Sequence, residues 1–161
     1  MKKLSIFTCT MIALGFMATT VRAQSPHFIN CSASGPFANG SLQVCFKLAG
    51  LGANQGLSVT AHATASVEYR CQNNGGQCPN AANKEDIRTA VSATGLFTSD
   101  QNGQITGCLT ILAPPSILTC PPGQNRVFFN VTYTSVYVSA PGAGNCNVSG
   151  SFPRSFFPTC P

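Results

Sequence analysis

The sequence predicts an all-β chain: a single antiparallel β-sandwich of about seven strands, stapled by disulfides. Three observations predict it. Apolar and polar residues alternate with period two over long stretches, and no stretch carries the apolar stripe of an amphipathic helix. The cysteines, nine in all, fall one in an export-type leader and the rest behind it.

The leader comes first. Lys2 and Lys3 precede an apolar run from Leu4 to Met17, and Val21-Arg22-Ala23 offers compact side chains around a cleavage point. Residues 1–23 therefore read as a cleaved secretory signal, with 24–161 as one β-sandwich domain. Cleavage removes three of the nine basic residues, leaving six against four acidic ones, a net +2. So weak and scattered a charge cannot neutralise a phosphate backbone, which excludes nucleic acid as a partner. No small-residue lipid-attachment pattern precedes Cys9 or Cys31, and no apolar tail ends the chain, so no membrane anchor is expected after cleavage. The expected location is secreted: extracellular, or periplasmic in a Gram-negative host.

The strands follow in order. Phe28 to Ser32 starts the set. Leu42, Val44 and Phe46 alternate with Gln43, Cys45 and Lys47. The clearest pattern places Leu57, Val59, Ala61, Ala63, Ala65, Val67 and Tyr69 on one face and Ser58, Thr60, His62, Thr64, Ser66, Glu68 and Arg70 on the other. A strand of that length calls for a bend or bulge, and its run of alanines for close approach by an opposing layer. Val91, Ala93, Gly95 and Phe97 line the next strand, and Asp100-Gln101-Asn102-Gly103 predicts a hairpin turn into Ile105–Ile111. Val127–Val138 carries Phe129, Val131, Tyr133 and Tyr137 on one side. Pro141-Gly142-Ala143-Gly144 turns the chain, and Asn147–Phe157 returns as the last strand. Seven half-wet strands in one domain of this size predict the immunoglobulin-like sandwich, with a closed β-barrel as the alternative.

Eight cysteines behind an export signal read as four disulfides in an oxidising compartment, since no closely spaced pair or His–Cys set has zinc-ligand spacing. Cys71 and Cys78 are close enough to staple a small loop. The other expected pairs are Cys120–Cys160, Cys45–Cys108 and Cys31–Cys146.

The run "VCFKLAGLGANQGLS" from Val44 to Ser58 and the later "SATGLFTSDQNGQITGCLTI" resemble segments of secreted bacterial immunoglobulin-like β-sandwiches, the neocarzinostatin-type apoproteins among them. The resemblance covers about a third of the chain and implies a fold class; the extra cysteines depart from that pattern.

Little in the chain is equipped for catalysis. His62 sits on a wet strand face with Glu68 too far along the same strand to orient it, and Glu68, Glu85, Asp86 and Asp100 are the only carboxylates. No catalytic, metal-binding or cofactor-binding residues are assigned, and none of the Tyr residues, all placed facing the core, offers a sugar platform. The segment Cys71–Asp86, "CQNNGGQCPNAANKED", reads as a long amide-rich loop stapled at its base. Asn73, Asn74, Gln77, Asn80, Asn83, Glu85 and Asp86 are its candidate ligand contacts. With connections near 34–40 and 113–125 it is expected to share one end of the sandwich. The predicted role is non-enzymatic binding of an extracellular protein, glycan or small molecule. A structural surface or matrix component, and a small hydrolase or toxin-like effector, are the alternatives.

Overall fold

The computed structural model describes residues 25–75 and 78–157. The leader, Gln77 and Cys160 lie outside the described residues. The strands are β1 (His27–Ser34), β2 (Leu42–Ala49), β3 (Gly56–Asn73), β4 (Asn80–Thr98), β5 (Ile105–Ile111), β6 (Gln124–Ala140), β7 (Gly144–Val148) and β8 (Phe152–Ser155). They form two antiparallel sheets, ordered β1-β2-β5 and β4-β3-β6-β7, with β8 also paired to β6. The sheets do not join into a barrel.

The inner faces hold the residues that alternation places there. Val59, Ala61, Ala63, Ala65, Val67 and Tyr69 of β3 meet Leu42, Val44, Phe46 and Leu48 of β2 and Ile105, Leu109 and Ile111 of β5, all buried. Small side chains on β3 let the layers approach. Gly107 performs the same service for β4: a Cβ there would run into the ring of Phe97, which also stacks edge-on against Phe46 with centroids 5.1 Å apart. The expected irregularity in the long strand is present. The β3–β6 register shifts between His62 and Thr64 and between Glu68 and Tyr69, and the β3–β4 register shifts after Arg70.

Four expectations need correction. First, the last strand is two: β7 pairs with Val136–Ala140 and β8 with Asn130–Tyr133, with Gly150 at positive φ in the break between them. Pro153 is accommodated because β8 has a partner on one side only. Second, the Asp100–Gly103 turn forms, its two amides Asn102 and Gln104 donating to the Asp100 carboxylate at 2.9 Å. It joins two sheets, however, instead of closing a hairpin, because β4 pairs with β3 and β5 with β2.

Third, Ser135 adopts a left-handed conformation (φ 51°) and inserts one residue into β6. Inward positions change from Val131 and Tyr133 to Val136, Val138 and Ala140, so Tyr137 turns outward instead of facing the core. The shift at Glu68/Tyr69 likewise sets Phe128 against Tyr69 and leaves Phe129, expected inward, under the Arg70 guanidinium. Fourth, the disulfides are Cys31–Cys146, Cys45–Cys108 and Cys71–Cys120. The first two match expectation. Cys71–Cys78 and Cys120–Cys160 do not form. Cys71 is fully buried on the inner face of β3, whereas Cys78 is exposed at the foot of β4. Cys78 is also disulfide-bonded, to a partner outside the described residues.

Candidate functional site

β3 and β4 run well past the shorter strands of the opposing sheet, and residues 112–123 cover the inner face that this leaves open. Four ties hold this strap. Cys120 bonds to Cys71, and the Tyr69 hydroxyl donates to the Pro114 carbonyl at 2.7 Å. The Arg126 guanidinium donates to the carbonyls of Ser116 and Leu118 at 2.8 and 3.3 Å. Glu85 accepts a short bond from the Ser116 hydroxyl and bonds from the Ile117 and Leu118 amides at 3.1 Å. The Ser116 hydroxyl, ahead of the two amides and the Arg126 charge, holds the Glu85 carboxyl below the ordinary carboxylate range.

The amide-rich loop is therefore mostly strand. β3 continues to Asn73 and β4 begins at Asn80, with Asn74 and Gly75 in a turn between them. The Asn74 side chain accepts from Asn125 at 2.9 Å, and Asn80 accepts from the Ala82 amide at 2.8 Å. Asp86 is exposed and pairs with Lys84 at 2.9 Å. Asn73 is the last, exposed residue of β3, and Asn83 is half-buried within β4. Gln77 lies outside the described residues. The three expected connections do share one end: the Tyr133 hydroxyl reaches the Gly40 carbonyl at 2.8 Å, while Tyr69 and Cys71 hold the strap. That end is knitted together by these bonds, while the buried Gln124 Oε1, opposite Asn73, has no hydrogen-bond partner among the described residues.

His62 is better ordered than a solvated surface histidine. Its ring stacks on Tyr137 (centroids 4.5 Å apart, 13° between planes), and its Nε2 lies 3.0 Å from the Ser139 hydroxyl. A shallow hollow of about 460 Å³ adjoins Ser139, Thr60 and Asn145. No carboxylate completes the group. Glu68 bonds Arg70 and Asn130 at 2.7 Å, Glu85 the strap, Asp86 Lys84, and Asp100 its own turn. Among the described residues no three His, Cys, Asp or Glu cluster as metal ligands.

A larger concavity lies on the side of the sandwich. Residues 89–94 of β4 form one wall and Thr110 with residues 112–115 the other, around about 780 Å³. No lining residue is charged. Val91 and Ala93 are only half-buried, and Leu112 at the mouth is 66 % exposed. A signal for it exists in the sequence. Leu112 continues the outward phase of Gln104, Thr106, Cys108 and Thr110, so it is an apolar residue where alternation demands a polar one. Comparison with protein-family models, with characterised proteins and with solved structures gives no match to this chain.

Proposed function

We propose that this is a secreted, non-enzymatic binding protein whose ligand occupies the lateral groove between β4 and the start of the strap. The observation that carries the reading is an uncharged groove of about 780 Å³ with an exposed leucine at its mouth. Concave, mainly apolar sites with a few hydroxyls are the usual form of ligand pockets. An elongated, uncharged ligand fits the absence of charge in the lining. Three disulfides among the described residues suit an oxidising compartment, and with the signal-like residues 1–23 they support secretion. The strand order supports an immunoglobulin-like sandwich in which the fourth strand has joined the third. Engagement of every carboxylate in a structural bond favours binding over hydrolysis.

The test uses isotope-labelled mature protein and a library of neutral fragments and short uncharged peptides. Amide shifts are expected to cluster at residues 89–94 and 110–113 and to vanish in Leu112→Arg. Shifts clustered at residues 73–80 would return the site to the end loops; Leu112→Arg binding like wild type would refute the groove.

A further inference from the structure

Among the described residues β4 is the last strand of its sheet, with β3 on one side and no strand on the other. Its register with β3 is unbroken from Lys84 opposite Arg70 to Thr98 opposite Gly56. The Ser99 amide donates to the Gln55 carbonyl at 2.9 Å, which fixes the phase of that ladder. Odd-numbered residues of β4 turn their N–H and C=O toward β3, and even-numbered residues turn theirs to the open side. Those same even residues point their side chains outward, and they include the exposed Lys84, Asp86 and Arg88. Arg88 has no salt bridge or hydrogen-bond partner among the described residues.

We propose that two copies of the chain associate through β4, strand against antiparallel strand, about a two-fold axis at Ile87. This stands apart from the groove reading and does not depend on it. Charge selects the register. Side chains keep their faces across a ladder only if the axis passes through a residue position. An axis at Asp86 sets Asp86 against its own copy and Lys84 against Arg88. An axis at Arg88 opposes two arginines, and one at Glu85 opposes two glutamates. With the axis at Ile87, Asp86 faces Arg88 of the second copy twice over, Lys84 faces Ala90, and the two Ile87 side chains oppose each other on the inward face.

Charges on an edge strand commonly guard it against pairing. Here their order is self-complementary, and no proline or register shift interrupts residues 84–98. The irregularity at residues 81–83 limits regular pairing to Lys84–Ala90 in each copy, which overlaps the groove wall at Thr89 and Ala90 only.

Sedimentation equilibrium on the mature protein, at concentrations up to about 1 mM, tests this. Wild type is expected to dimerise. Arg88→Asp and Asp86→Arg alone should each raise the dissociation constant at least tenfold. An equimolar mixture of the two, and the double variant D86R/R88D, should restore association to within a few-fold of wild type. Ala90→Pro removes an open-side amide while leaving the β3 ladder intact, and should also weaken the dimer. A wild type that stays monomeric, or a dimer indifferent to these exchanges with folding verified by circular dichroism, overturns the proposal.

Discussion

Removing the Cys71–Cys120 bridge with Cys71→Ala/Cys120→Ala tests how the strap contributes to stability. The bridge spans a sequence separation of 49 residues. Chain-entropy loss in the unfolded state then amounts to about 4 kcal/mol, an upper figure because the remaining disulfides already restrict that state. The native state should persist, since Tyr69, Glu85 and Arg126 still hold residues 114–118 through five hydrogen-bonded carbonyl and amide groups. In a domain of this size that loss corresponds to a fall of roughly 12–16 °C in Tm. Calorimetry and guanidinium unfolding measure it under matched, non-reducing conditions. Thiol titration in denaturant supplies the sharper check. The double variant should expose no free thiol, because it removes both ends of one bond. Two titratable thiols, or a stability loss below about 1 kcal/mol, would refute the pairing and the account of the strap.

Tyr133→Phe should destabilise by about 1–3 kcal/mol in the same unfolding assay, since it strips the buried Gly40 carbonyl of its partner. Burial, with a smaller contribution from Tyr69, pushes the Tyr133 phenol up to about 12. Its folded pKa lies above the unfolded value near 10, so its stabilising effect is complete below pH 10 and is lost as pH rises toward 12. Spectrophotometric titration should show delayed ionisation of Tyr133 and also of Tyr69, which burial raises as well. Gly107→Ala should destabilise by about 1–3 kcal/mol by displacing Phe97, measured by denaturant unfolding; an unchanged midpoint would show slack in the core. For Glu85 the folded pKa is lowered, so its hold on the strap is present above the unfolded value and is lost as pH falls through the folded one. Amide exchange at Ile117 and Leu118, corrected for intrinsic pH dependence, should accelerate only in that acid range and should already be fast in Glu85→Gln.

Much of the architecture is legible in side-chain alternation. The odd positions of β3 face the core, and their alanines sit where β2 and β5 press closest. Cys45 and Cys108, both on polar positions of their strands, pair directly across β2 and β5. The same parity extends one step past Tyr69 and turns Cys71 inward, toward whatever covers β3. Proximity in sequence to Cys78 argues for a small loop, but a strand that keeps pairing until Asn73 carries Cys78 away from that inner face. The candidate loop disappears for the same reason: Asn80, Asn83, Glu85 and Asp86 have alternation too irregular to announce a strand, yet the ladder from β3 enforces one.

The rest depends on choices that local sequence does not carry. Nothing in Thr134-Ser135-Val136 marks Ser135 for a left-handed bulge, yet that residue sends Tyr137 outward to stack on His62. The turn at Asp100–Gly103 has the same chemistry whether its flanking strands share a sheet or part company. Here they part, because β3 offers β4 a long ladder and β2 offers β5 another, and Phe97 then folds across Gly107. That parting has a functional consequence. Two strands joined by a short turn become facing edges of separate sheets, with no backbone hydrogen bonds between them. Val91 and Ala93 are left half-buried along the gap, and Leu112 is left at its mouth. The groove and the open side of β4 are thus one outcome of a pairing decided far away in the sequence. A hairpin in their place would have filled both.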